Sequence, residues 1–163
     1  MTMLVKHQGG IIIFATFVLA IVLTIMPLPD WGEAIRPEWV AMALIYWCIA
    51  LPERIGVGTG WIVGIALDVA HGALLGQNAF TLSFVAYLAL RLHQRIRLFP
   101  PWQQALSVLL LVALYQILTL WIKGVVGQSF HGWGYWLHSI TSMLLWPFVF
   151  VILRSLRRYY RVR

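Results

Sequence analysis

Long apolar runs separated by short polar segments dominate the hydropathy pattern of this chain. Because a helix that crosses a bilayer needs about 20 mostly apolar residues, the pattern predicts an all-α membrane protein. The segments between the runs are too short to form a soluble domain, so residues 1–163 are expected to be one polytopic membrane domain. The prediction is a bundle of six transmembrane helices, with spans at residues 9–27, 35–51, 55–75, 78–92, 103–124 and 134–154.

The second and fourth predicted spans are short for a bilayer. We therefore expect neighbouring helices to surround them partly, in a bundle whose third helix is central.

Composition supports a membrane protein. The chain is 61% hydrophobic and 10% charged, with a mean hydropathy of +0.84, whereas a soluble domain is roughly half apolar and a quarter charged. The single cysteine, Cys48, excludes a disulfide within the chain.

Basic residues at the span ends predict the orientation. With the N-terminus inside, ten of the twelve Lys and Arg residues fall on the cytoplasmic side, and only Arg36 and Lys123 fall outside. This bias accounts for the net charge of +7, so no nucleic acid is needed as a partner. Part of the cytoplasmic set is expected to contact anionic lipid headgroups or a cytoplasmic partner: Arg91, Arg95, Arg97, Arg154, Arg157, Arg158, Arg161 and Arg163.

Glycines spaced four residues apart mark one face of the third span, and an aspartate takes one of these positions. Small residues on one face allow another helix to approach closely in lipid. We expect this face to pack against a helix of the bundle or of a partner. The candidates for this contact are Gly56, Gly60, Trp61, Gly64, Asp68, Gly72 and Gly76.

A carboxylate inside a span is costly, so Asp68 is expected to face protein or water. Counting along the spans places Thr24, Gln116 and Ser142 at a similar depth, and His71 lies one turn from Asp68. These residues are predicted to form a buried polar layer. Its role stays open between structural hydrogen bonding, an ion, proton or substrate site, and a contact with a partner's helix.

The sequence contains no pattern typical of an enzyme or a metal site. It has only five carboxylates, no serine with adjacent histidine and carboxylate, and no histidine pair with zinc-site spacing. We therefore predict no catalytic residue, no metal ligand and no cofactor.

Aromatic residues are concentrated in the two predicted outer segments, residues 27–39 and 127–136. They include Trp133, Tyr135 and Trp136. Such residues form aromatic belts at the membrane interface, and they are also favoured at binding hot spots. The outer rim is therefore either a headgroup belt or a docking surface.

The order of several short motifs resembles the MreD family of rod shape-determining inner-membrane proteins. The motifs are Arg36-Pro37-Glu38-Trp39, Pro52-Glu53-Arg54, the run from Gly60 to Asp68, and Leu145-Trp146-Pro147 before a basic tail. The resemblance covers nearly the whole chain, and the number of spans agrees with that family.

This resemblance implies a non-enzymatic, multi-pass scaffold subunit of the bacterial cell-elongation machinery that builds peptidoglycan. It implies direct binding to the bitopic protein MreC. It also implies a complex with the actin-like MreB, the glycosyltransferase RodA and a class B penicillin-binding protein. The family fold is likened to the substrate-binding subunits of vitamin transporters. That likeness leaves a rival function, a transporter subunit that binds a small molecule or lipid at Asp68.

Overall fold

A computed structural model describes residues 2–27, 29, 32, 35–52, 55–72, 75–127 and 136–160, without the side chains of residues 2–9 and 71. In this part of the chain the regular structure is helical, as predicted. The six helices are α1 (Thr2–Ile25), α2 (Trp39–Ala50), α3 (Val57–His71), α4 (Gln77–Leu98), α5 (Pro101–Val126) and α6 (Leu137–Tyr159).

The helices differ in their capacity to cross a bilayer. Within the described residues, only α5 and α6 are both long and apolar enough to do so by length and composition. The segments Gly10–Ile25, Trp39–Ala50 and Val57–Ala70 are apolar but shorter. The six predicted spans thus correspond to six helices, and full transmembrane passage by these helices stays a prediction.

Helix α2 forms the centre of the bundle. It contacts α1, α4, α5 and α6, and every residue from Val40 to Ile49 is buried. A helix that is hydrophobic all round is stable when protein encloses it. The expectation of a central third helix is therefore wrong, because the second helix takes that place. Its twelve residues span only about 18 Å, and the surrounding helices cover them.

Aromatic packing fixes α2 against its neighbours. The indole N–H of Trp47 donates a hydrogen bond to Thr16 Oγ1 of α1 at 2.9 Å. The ring of Tyr46 packs edge-on against Trp47 and against Phe150 of α6, with centroid distances of 5.2 and 5.7 Å. These contacts hold α1 and α6 on the central helix.

Large apolar side chains lie on the outside of the bundle as well as in its core. Phe14, Ile62, Leu110 and Phe148 are 66–71% exposed. Gln116 is fully buried. Exposed apolar side chains together with buried polar ones are typical of helices surrounded by lipid.

Arginines cap two helix ends. Arg97 donates from Nε to Ile49 O at 2.8 Å and from Nη2 to Ala50 O at 3.0 Å, at the end of α2. Arg36 donates to Thr24 O and Met26 O at the end of α1. A cation near the last carbonyls of a helix is stabilising. These arginines therefore stabilise the ends of α1 and α2, in addition to their contribution to the charge distribution.

Candidate functional site

Helices α3 and α4 form a closely packed hairpin, and two of the spaced glycines lie in its contact. A Cβ atom built at Gly64 would lie 2.3 Å from Ala79 Cα and 2.6 Å from Asn78 C. At Gly60 it would lie 3.0 Å from Leu82 O. The structure therefore places this face against α4 of the same chain.

The last two glycines of the series, Gly72 and Gly76, do not take part in the expected helix packing. A Cβ atom at Gly72 or Gly76 would meet no atom within 4 Å. Their φ angles are +65° and +98°, a left-handed conformation that favours glycine. Gly72 ends α3 and Gly76 precedes α4, so both serve the turn. At Gly56 a Cβ atom would make an ordinary contact, 3.6 Å from Leu90 Cδ1.

Asp68 joins the two helices of the hairpin at the start of α4. Its Oδ2 accepts from Gly76 N at 2.9 Å and from Ala79 N at 3.5 Å. Its Oδ1 accepts from the backbone N and from Nδ2 of Asn78, both at 2.9 Å. The carboxylate is fully buried. It satisfies backbone donors that a helix start leaves unpaired, and its charge matches the positive end of the helix dipole.

A further hydrogen bond connects this hairpin to α5. Tyr115 donates from its hydroxyl to Asn78 Oδ1 at 2.6 Å, and both residues are buried. Asn78 therefore donates to Asp68 and accepts from Tyr115. We call Asp68, Asn78 and Tyr115 the hairpin network.

Further polar contacts link the remaining helices. Ser139 of α6 donates to Gln116 Oε1 of α5 at 2.5 Å. The backbone N of Glu38, just before α2, donates to Ser142 Oγ of α6 at 2.9 Å. Buried polar groups in lipid are normally satisfied in this way, between helices.

The described side chains of the predicted polar layer each hydrogen-bond to a different partner outside that layer. Asp68 hydrogen-bonds the start of α4, whereas Thr24 donates to Ala20 O within α1. Gln116 and Ser142 are buried and pair with Ser139 and Glu38. The reason is that α3 ends at His71, which puts Asp68 in its last turn instead of at mid-span. The side chain of His71 lies outside the described residues.

The outward face of α3 borders an apolar groove of about 420 Å³ against α1. Ile62 and Ala66 line it from α3, and Phe14 lines it from α1. Trp61, the neighbour of Ile62 in the sequence, is half exposed and does not line the groove. Trp136, at the start of α6, is partly buried, while the predicted rim residues Trp133 and Tyr135 fall outside the described residues.

A larger cavity of about 820 Å³ opens where α2, α4 and α6 end and α5 begins. We call this the basic-end cavity. Four of the predicted lipid-contacting arginines line it: Arg97, Arg154, Arg157 and Arg158. Arg91 and Arg95 are exposed on α4 and do not line it. Arg161 and Arg163 are not among the described residues.

Sequence reasoning missed the residues that line this cavity besides the arginines, and three of them are polar or aromatic. Tyr46, Gln104 and Phe150 line it together with the arginines. They come from three different helices and carry no shared motif, so only the packing of the helices brings them together. The charge clusters on α4 and α6 were visible in the sequence, but their convergence was not.

The fold and these sites define an α-helical membrane bundle whose buried polar groups hold its own helices together. A family model described as rod shape-determining protein MreD matches residues 6–156. The rod shape-determining protein MreD of Haemophilus influenzae is 32% identical over 146 residues, which cover 90% of each chain. The chain therefore belongs to the MreD family and has a role in determining cell shape. No solved structure matches it significantly.

Proposed function

We propose that this protein is a non-enzymatic scaffold subunit of the cell-elongation machinery in the bacterial inner membrane. In this role it binds the bitopic protein MreC and links it to MreB, RodA and a class B penicillin-binding protein. The observation that carries the proposal is the family match across residues 6–156. The hairpin network supports it, because its polar side chains hydrogen-bond one another and hold the helices together. A scaffold needs such a stable helical surface and no reactive group.

The partner's single helix is proposed to bind at the groove between α1 and α3. An exposed apolar face beside small residues suits a helix in lipid, because small residues allow close approach. The groove offers exposed Ile62 next to Ala66, Thr59 and Gly10. The second span is enclosed as α2, with every residue from Val40 to Ile49 buried, so the partner's helix is not proposed to bind there. The aromatic outer rim would support the segment of the partner just outside the membrane.

A matched pair of substitutions tests this function. Ile62 in the groove and Leu110 on α5 are 70% and 71% exposed, so Ile62→Trp and Leu110→Trp add the same bulk at equally accessible positions. In cells that lack the native protein, Ile62→Trp should reduce both MreC co-purification and rod shape. Leu110→Trp should reduce neither. Equal effects, or no MreC recovered with the unmodified protein, would contradict the proposal.

We do not propose the rival transporter function. Asp68 accepts four hydrogen bonds from the start of α4, and it lines neither the groove nor the basic-end cavity. The expected likeness to vitamin-transporter subunits also finds no support from solved structures.

A further inference from the structure

We propose that the basic-end cavity is a specific binding site for the phosphate headgroup of an anionic phospholipid, with a preference for a lipid that carries two phosphates. This inference goes beyond the scaffold role and does not depend on it. It differs from diffuse attraction to a basic tail because it assigns one concave site with defined walls.

The charge of the cavity calls for an anionic ligand. Four arginines line it: Arg97, Arg154, Arg157 and Arg158. The described carboxylates are at the far ends of the same helices. Glu38 precedes the start of α2, and Asp68 binds the start of α4, whereas the cavity lies where both helices end. Arginine binds phosphate in a bidentate manner, so phosphate is the anion that this site suits best.

Two of the arginines are already held in place. Arg97 donates two hydrogen bonds to the last carbonyls of α2. The guanidinium carbon of Arg154 lies 5.9 Å from the centroid of the Phe150 ring, within range of a cation–π contact. A charge that is positioned before the ligand arrives loses less conformational entropy on binding. Two of the four charges are therefore positioned before a ligand arrives.

The other walls point to a lipid and not to a free phosphate ion. Ile49, Leu51 and the edge-packed rings of Tyr46 and Phe150 give the lining an apolar part, here called its apolar side. The volume of about 820 Å³ is that of a site for a whole small molecule. A phospholipid supplies both parts, since its phosphates meet the arginines and the start of its acyl chains meets the apolar side. Basic pockets between membrane helices bind multiply charged headgroups in this way.

Native mass spectrometry of the full-length protein in detergent tests this site, with cardiolipin, phosphatidylglycerol and phosphatidylcholine as probes. We expect the first lipid to bind at one saturable site. Its affinity should decrease from cardiolipin to phosphatidylglycerol to phosphatidylcholine. Gradual, unsaturable binding of both anionic lipids alike would overturn the proposal. So would inorganic phosphate at equal concentration displacing cardiolipin, because the site would then recognise the free ion. These outcomes need no variant.

Two double variants then locate the site. Arg154→Gln with Arg157→Gln removes two charges from the cavity, and Arg91→Gln with Arg95→Gln removes two from the exposed surface of α4. Arg97 is left unchanged because it caps α2. The cavity pair should weaken the first cardiolipin at least about tenfold more than the surface pair does, since each lost charge-assisted bond costs about this factor. Thermal unfolding checks that both variants are folded. If both pairs then weaken the binding of the first cardiolipin equally, the attraction is diffuse and the proposal is overturned.

Discussion

A graded series of glycine substitutions tests the close packing of α3 on α4. In Gly64→Ala, the new Cβ atom would lie 2.3 Å from Ala79 Cα and 2.4 Å from Ala79 N. Non-bonded carbon atoms are comfortable at about 3.5–4.0 Å. The atoms on the other side belong to the backbone, so no rotamer change relieves the clash. The helices must separate by roughly 1 Å or more, given that contact distance.

The expected cost of this separation is large for one methyl group. Overpacking typically costs about 1–3 kcal/mol, and we expect Gly64→Ala to lie at the upper end because the clash is between backbones. Separation would also lengthen the hydrogen bonds from Asp68 to the start of α4. At Gly60 the Cβ atom would lie 3.0 Å from Leu82 O, so Gly60→Ala should cost less than Gly64→Ala.

Gly58→Ala is the matched control on the same helix. A Cβ atom there meets no atom within 4 Å, and alanine favours a helix over glycine by up to about 1 kcal/mol. Thermal unfolding of the purified variants in one detergent, followed by size-exclusion chromatography, should rank them Gly58→Ala, Gly60→Ala, Gly64→Ala from most to least stable. If Gly64→Ala is as stable as Gly58→Ala, the close contact is wrong.

Three further predictions use the same stability assay or a topology reporter. Asp68→Asn should destabilise by about 1–3 kcal/mol, because its amide donor would face the backbone N–H of Gly76 and leave that donor unpaired; a neutral effect would contradict the capping role. In a layer of hydroxyl and amide groups, by contrast, an asparagine at this position would substitute well. Arg97→Gln should destabilise by about 1 kcal/mol by weakening the cap on α2, and unchanged stability would refute that cap. A reporter fused after Arg163 should be active only in a cytoplasmic format, and activity outside would refute the predicted orientation.

The hydropathy pattern was sufficient for the helices but not for their arrangement. Six apolar runs became six helices, because apolar length is a strong local signal. The central position of α2 was readable in principle, since the run from Val40 to Ile49 has no polar face and such a helix is normally enclosed. The glycines of the third helix favour close packing and so point to that helix as the centre, but the two closely packed ones, Gly60 and Gly64, lie against α4.

The role of Asp68 depended on where α3 ends. The apolar pattern continues past Gly72, so the sequence predicts a span that reaches residue 75 and places the aspartate at mid-membrane. The pair Gly72 and Gly76 was itself a signal for a turn, because glycine is favoured just after a helix. A turn at these glycines places the Asp68 carboxylate next to the start of the following helix.

The convergence at the basic end was not predictable from local patterns. Arg97 reaches carbonyls 47 and 48 residues earlier in the chain. Phe150 reaches Tyr46 across a still longer separation. Such contacts follow from packing of whole helices and have no short-range signature.

The most direct test of the scaffold role is site-specific photocrosslinking in living cells. A crosslinking residue at Trp61 or Ile62 on the exposed face of α3 should capture MreC as a discrete product. The same residue at Leu110 on α5, which is equally exposed, should not capture MreC. Capture of MreC at the exposed face of α3, with none at Leu110 or in the basic tail, is the result predicted here. Capture only from the tail, or no MreC from any position in cells that grow as rods, would contradict the account.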